Sequence, residues 1–149
     1  MYKTILVPLD GSKRAEVILP HVEALAHRYQ AQVIFLSVVE PEALVVSAEP
    51  FYTQVDEAVY AQRVDQVKTY LDAQCGEFRE KKIAAKCEIG HGPVVESIIN
   101  AAEREDVDLI AMASHGRTGL SRVFYGSIAA GVLHRVDRPL LLIRSSHQE

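Results

Sequence analysis

Ala113 and Gly116 stand three positions apart at the end of an apolar run, Leu109-Ile110-Ala111-Met112. Nine residues after Gly116 come Gly126 and Ser127, which open another periodic segment. A strand, a glycine-bearing loop and a helix start in that order can cradle phosphate. Glycine lets backbone N–H groups approach an anion closely. A helix start adds N–H donors without intrahelical partners, at the positive end of the helix dipole. The N–H groups from Ser114 to Thr118, with Gly116 and Gly119, suit the wrapping of a polyphosphate. Gly126 would admit its close approach, and Ser127 would offer a hydroxyl while capping the helix. Arg117 and Arg122 supply positive charge, and His115 either hydrogen-bonds a phosphate or shapes the turn. Asp10, in the turn Asp10-Gly11-Ser12, suits a ribose hydroxyl, an adenine amino group or a magnesium ion. On spacing alone, a helix-capping turn whose glycines serve only geometry explains the stretch equally well.

The elements that must position these residues follow from periodicity. Residues 4–8 (T-I-L-V-P) and 32–39 (Q-V-I-F-L-S-V-V) are short apolar runs that read as buried strands. Between them, residues 14–29 carry apolar side chains at helical spacing, and Pro20 predicts a kink or a late helix start near residues 16–18. Residues 40–53 hold two prolines and no clear period, which predicts a loop over the site. A long helix is expected over 55–82, and a weaker strand over 84–89, whose alternating charges mark a sheet edge. Helices over 94–105 and 127–136, strands over 108–113 and 140–144, and a polar tail over 145–149 complete the chain. The order β-α-β-α-β-α-β-α-β implies α/β architecture, a doubly wound parallel sheet with helices on both faces. Ligands in such folds bind at the carboxyl ends of the strands, where the strand order reverses. That brings the Asp10 turn and the Gly116 loop to one crevice.

Composition narrows the alternatives. The chain has 149 residues, 48% apolar and 24% charged, which fits one globular domain over 1–149. Its net charge of -4 argues against a general nucleic-acid binder. No apolar run approaches the ~18 residues of a membrane span. The chain enters its first strand at Thr4 without a signal-peptide core, so a cytoplasmic location and no membrane partner are expected. Cys75 and Cys87 match no zinc or redox spacing and read as two reduced packing residues. Gly90-His91-Gly92 lacks the third glycine of a dinucleotide fingerprint, and no Walker motif or G-x-S-x-G elbow is present. The six histidines are scattered, so no protein-held metal is expected.

Four segments together carry a family resemblance: K-T-I-L-V-P-L-D-G-S, V-I-F-L-S-V-V, V-D-L-I-A-M-A-S-H-G-R-T-G-L, and G-S-I-A-A-G-V-L-H-R-V-D-R-P-L-L-L-I-R. Over almost its whole length the chain resembles the universal stress protein family. The ATP-binding branch carries G-x-x-G, nine residues, then G-[ST]; here the pattern is Ala113, Gly116, nine residues, Gly126-Ser127. The resemblance implies an adenine nucleotide alpha-hydrolase-like fold, with five parallel strands in the order 3-2-1-4-5. It implies bound ATP, or AMP or ADP, with magnesium carried on the phosphates near Asp10. Pro8 and Asp10 would border the nucleoside and Val38 would meet the adenine. Met112 and Ala113 would lie under the ribose and phosphates. Ser114, His115, Gly116, Arg117, Thr118 and Gly119 would wrap the phosphates, and Ser127, Ile128 and Ala129 would close the helix side. It also implies a homodimer through the last strand, Leu140 to Arg144, and a stress-response regulator with no assigned catalytic residue. The alternatives are a slow ATPase or autophosphorylating enzyme and a nucleotide-free dimeric interaction module. Ala113 replaces the first motif glycine, which costs little only if that position keeps an ordinary extended φ.

Overall fold

A computed structural model of the chain describes residues 1–40, 52–115 and 126–145, with the backbone alone for 52–56. Five strands, β1 (Thr4–Pro8), β2 (Gln32–Val39), β3 (Ala85–His91), β4 (Leu109–Ala113) and β5 (Leu140–Ile143), form one parallel sheet ordered β3-β2-β1-β4-β5. The helices are α1 (Leu19–Tyr29), α2 (Tyr52–Glu80), α3 (Val94–Arg104) and α4 (Ser127–Arg135). The doubly wound architecture and strand order expected from the sequence are therefore present.

Strand alternation sorts the apolar residues into two cores. Ile5, Val7, Val33, Phe35 and Ala111 face α1 and α2, where Val22, Ala26, Leu71 and Phe78 meet them. Leu6, Ile34, Leu36, Ile110 and Met112 face α3 and α4, against Ile98, Ala102, Ala129 and Val132. Phe35 and Phe78 pack edge to face with centroids 4.9 Å apart, worth about 1 kcal/mol beyond area burial. On the opposite face α3 and α4 approach so closely that a Cβ on Gly131 would lie 2.7 Å from Val95 Cγ2.

Pro20 produces the late start, not the kink. Ala15–Ile18 form a single 3-10 turn, and Pro20 sits in the first turn of α1, where its missing N–H is harmless. The helices α1, α2 and α3 leave for their strands in one way. Gln30, Lys82 and Asp106 take left-handed φ of 52°, 63° and 47°. The next N–H reaches back to the carbonyl of Ala26 (3.0 Å), Phe78 (3.0 Å) or Ala102 (3.1 Å), the Schellman arrangement.

β1 and β4 pair over only Ile5↔Leu109 and Leu6↔Ile110. The Asp108 carboxylate clasps their amino ends, accepting hydrogen bonds from the N–H groups of Lys3 (2.7 Å) and Thr4 (2.8 Å). Arg138 donates to the carbonyls of Ala102 (2.7 Å) and Val107 (3.1 Å), which closes the carboxyl end of α3. Among the described residues no helix is long and apolar enough to cross a membrane.

Two expectations are corrected. Cys75 and Cys87 do not merely pack separately: the structure joins them in a disulfide between α2 and β3. Both side chains point to the same face of the sheet, and the docking of α2 on β3 brings them together. Ser145 does not belong to a solvated tail. It is buried at the end of β5, with its hydroxyl turned toward two neighbouring loops.

Candidate functional site

The strand order reverses between β1 and β4, and their short pairing lets the chain ends diverge there. β1 ends at Pro8, paired with Leu36, and Leu9 N–H makes the last bond to β2, at the Leu36 carbonyl (2.8 Å). In a strand the N–H and C=O of alternate residues point to the same neighbour. Those of Val38 therefore turn to the β1 side, just past the point where β1 has left the sheet. A donor and an acceptor on one backbone unit at the crevice wall suit the hydrogen-bonding edge of a planar heterocycle. The Val38 side chain itself packs with the α3–α4 core.

After Leu9 the chain turns sharply. Gly11 takes φ +84°, a conformation open to glycine. Asp10 is exposed, and its Oδ1 accepts from Ser12 N–H (2.9 Å) and Ser12 Oγ (2.5 Å). The Ser12 hydroxyl in turn accepts from Ala15 N–H (3.2 Å) and so starts the 3-10 turn. Tyr70 of α2 donates to Glu16 Oε2 (3.1 Å) beside this turn. Burial, then the Glu16 carboxylate, and last the charge of Asp10 push its phenol well above the usual tyrosine range. Tyr70 is therefore a hydrogen-bond donor throughout the physiological range.

Across the crevice, Met112 and Ala113 are buried at the end of β4. Ala113 is in register with Ile143 and is absent from the residues with positive φ, so its methyl strains nothing. Ser114 N–H donates to the Ile143 carbonyl (2.8 Å), and the Ser114 side chain is buried. Its Oγ accepts from Ser145 N–H (3.1 Å) and lies 3.0 Å from His115 Nδ1. The Ser145 hydroxyl reaches the carbonyls of Arg14 (3.1 Å) and His115 (3.3 Å). One serine thus binds the β1 loop, the β4 loop and the end of β5 into a single wall.

Gly126 returns to that wall. Its N–H donates to the Ser114 carbonyl (2.9 Å), and a Cβ there would lie 2.8 Å from the same oxygen. Only glycine fits. The first bond of α4 runs from Ala130 N–H to the Gly126 carbonyl (2.9 Å), so the N–H groups of Ser127, Ile128 and Ala129 point out of the helix end. Ser127 is exposed and is the first helical residue; Gly126 holds the cap position, and no side chain caps the helix. The expectation that Ser127 caps α4 is corrected, and its hydroxyl is not engaged as a cap.

The structure brings together Pro8, Asp10, Val38, Met112, Ala113, Ser114, His115, Gly126, Ser127, Ile128 and Ala129 at the carboxyl end of the sheet. Gly116, Arg117, Thr118 and Gly119, with Arg122, lie outside the described residues, as does most of the segment 40–53. Ser12, Tyr70 and Ser145 were missed. Tyr70 and Ser145 act through partners distant along the chain, which their local sequence does not show. Ser12 bonds only to its near neighbours Asp10 and Ala15, and the turn signal Asp10-Gly11-Ser12 was the clue to it. Among the described residues no cluster of His, Cys, Asp and Glu could hold a metal.

The universal stress protein family matches residues 1–144. The universal stress protein MJ0577 of Methanocaldococcus jannaschii is 28% identical over 155 aligned positions, covering 97% of this chain and 96% of the relative. Its solved structure superposes with a TM-score of 0.88 over 99% of both chains. Two more distant structures share the fold. One is a universal stress protein in complex with cAMP, with a TM-score of 0.68 at 19% identity, covering 97% of this chain and 98% of that one. The other is the universal stress protein of Archaeoglobus fulgidus in complex with dAMP, with a TM-score of 0.68 at 16% identity, covering 95% and 98%.

Proposed function

The chain belongs to the universal stress protein family, and we propose that it is an adenine-nucleotide-binding regulator of the stress response, with ATP as its ligand. One observation carries this reading. The exposed Asp10 turn, the Val38 backbone edge and the outward N–H groups of Ser127, Ile128 and Ala129 meet at one crevice, fastened by Ser145. That set offers a heterocycle edge, a hydroxyl acceptor and an anion cradle, which answer the base, the ribose and the phosphate of a nucleoside phosphate. Gly126, with no room for a Cβ against Ser114, fits a loop closed tightly around phosphate. The cAMP and dAMP carried by two relatives are adenine nucleotides with one phosphate, which supports the class.

Pro8 and Asp10 would border the ribose, with Met112 and Ala113 as the floor. Ser114 to Gly119 and the start of α4 would hold the phosphates. Magnesium would ride on those phosphates, with Asp10 nearby, because the described residues offer no metal cluster. AMP and ADP would occupy the same nucleoside pocket with fewer phosphate contacts.

The free edge of β5 supports a homodimer. Pro139 and Ile143 turn their carbonyls to β4, so Leu140 and Leu142 turn their backbone groups outward. All four residues of β5 are only half-buried and apolar, a surface that otherwise invites aggregation. A cytoplasmic location accords with a soluble α/β sheet and an intracellular ligand.

Mass spectrometry of small molecules released from freshly purified protein identifies the ligand; an adenine nucleotide is expected. Titration calorimetry with ATP and magnesium is expected to give a micromolar Kd, or about -8 kcal/mol. Gly126→Asp, which adds bulk and charge against the Ser114 carbonyl, is expected to abolish that heat. No heat and no thermal shift at millimolar ATP overturns the reading.

A further inference from the structure

The Cys75–Cys87 disulfide joins the last third of α2 to β3, across 12 positions of sequence. Cys75 is 1% exposed, whereas Cys87 is partly exposed on an edge strand. Between Tyr60 and Tyr70, α2 is held against the carboxyl end of the sheet and the β1 loop by separate polar contacts, with Val67 and Tyr70 also packed against the core. Tyr70 bonds Glu16 (3.1 Å), and Arg63 donates to the Glu40 carbonyl (3.2 Å). Tyr60 meets the Val39 carbonyl (3.3 Å) and His91 Nδ1. Two of the four, Arg63 to Glu40 and Tyr60 to His91, are at exposed positions, where water competes for each group. Among the described side chains of α2, the buried apolar anchors Leu71, Cys75 and Phe78 all lie in the second half of the helix. The firmness of the contacts at Tyr60 and Arg63, in the first half, therefore depends on how rigidly that second half is fixed.

We propose that Cys75 and Cys87 form a thiol–disulfide device that sets how tightly α2 holds the rim of the crevice. Cytosolic reductants keep most protein thiols reduced, and intracellular disulfides are commonly transient or regulatory. In a reducing compartment the pair rests as a dithiol and closes when low-molecular-weight disulfides accumulate. The Cys87 thiolate, the more accessible of the two, attacks a small disulfide such as oxidised glutathione. This forms a mixed disulfide and expels one small thiolate, which takes up a proton. The Cys75 thiolate then attacks the Cys87 sulfur and expels the second small thiolate, which is protonated in turn. Two protein thiols are oxidised, and one small disulfide is reduced to two thiols. The reverse exchange reopens the pair. Closure removes conformations from the unfolded and partly opened chain and fixes α2 on β3.

The test uses the full wild-type chain, incubated with oxidised glutathione or with dithiothreitol. After denaturation and alkylation, the oxidised protein is expected to carry no alkyl groups and the reduced protein two. The Tm of the reduced form is expected to fall by about 5–10 °C. Amide exchange over residues 57–71 is expected to quicken about tenfold, while β1 and β4 stay unchanged. Cys87→Ser is expected to behave as the reduced form under both conditions. The oxidised and reduced wild-type samples decide the matter if that variant folds poorly. Two alkyl groups after oxidised glutathione overturn the proposal. So does an oxidised form whose Tm and α2 exchange match those of the reduced form. None of these readings depends on nucleotide, so the failure of nucleotide binding would leave them standing.

Discussion

The two edges of the sheet are built on opposite principles. β3 ends the sheet in charge: Lys86 and Glu88 point to the α3 side and form a rim with Arg104 and Glu105. Lys86 Nζ lies 2.7 Å from Glu105 and 3.7 Å from Glu88, and Arg104 lies 2.5 Å from Glu88. β5 ends the sheet in Leu140, Leu141, Leu142 and Ile143, with no charge at all. Both edges carry unpaired backbone groups, and inward-pointing charges on an edge strand are a known defence against pairing with another chain. The contrast teaches that exposure of a strand edge is regulated residue by residue. One edge is defended by charge, and the other is left apolar, the edge on which the proposed homodimer would form.

The largest expected effect comes from breaking the open edge. Leu142→Pro removes an outward N–H without touching the bonds to β4, a position at which an edge strand tolerates proline. Light scattering should fall from about twice the 16.5 kDa chain mass to that mass. A wild-type protein that already runs at the chain mass would erase the distinction between the edges. A smaller effect is expected from converting the defended edge into an open one. Lys86→Val combined with Glu88→Val should raise the self-association measured by concentration-dependent sedimentation, even with the β5 edge blocked by Leu142→Pro. An unchanged profile would show that the rim has another purpose.

The smallest effect is electrostatic. Hydrogen bonds from Glu88 and Lys86 hold the Glu105 carboxyl below the usual range, and the Glu105 partner raises the Lys86 ammonium. A lowered carboxyl contributes stability that is present above its unfolded value and lost as pH falls through its folded one. A raised ammonium contributes stability that is present below its unfolded value and lost as pH rises through the folded one. Glu88, pushed up mainly by burial, works against the first of these. The rim should therefore be firmest between the carboxylate and lysine ranges. Arg104→Ala should cost no more than about 1 kcal/mol there, since exposed pairs are weak. A Tm difference that vanishes in acid and in high salt would sharpen the assignment.

Much of the fold was legible because its signals are local. Apolar runs such as Leu109–Ala113 and helical spacing over residues 14–29 need no partner to be recognised, and Pro20 marked the true start of α1. The resemblance rests partly on residues that proved to hold the frame: Asp108 clasps β1, and Arg138 closes α3. What sequence could not supply was registry between distant segments. Cys75 lay on an apolar helix face and Cys87 in a strand, and nothing local said that α2 docks so as to join them. Ser145 sat in a polar run, yet the ending of β5 beside β4 makes it a fastener. Val38 owes its place to β1 being shorter than β2, and strand length is poorly encoded in composition. Ser127 looked like a cap because the residue type favours one, but Gly126 occupies that position under the pressure of the Ser114 carbonyl.

The short join between β1 and β4 has a mechanical meaning. Two paired positions and one bond from Asp108 N–H to the Thr4 carbonyl (2.9 Å) form the backbone seam between the half-sheet β3-β2-β1 and the half-sheet β4-β5. The Asp108 clasp secures the seam at one end, and Ser145 spans it at the other. The molecule resembles a book bound along a narrow spine, and the crevice is the gap between its covers. Anything that settles across that gap touches both covers, and so adds a third fastening to the Asp108 clasp and the Ser145 bridge.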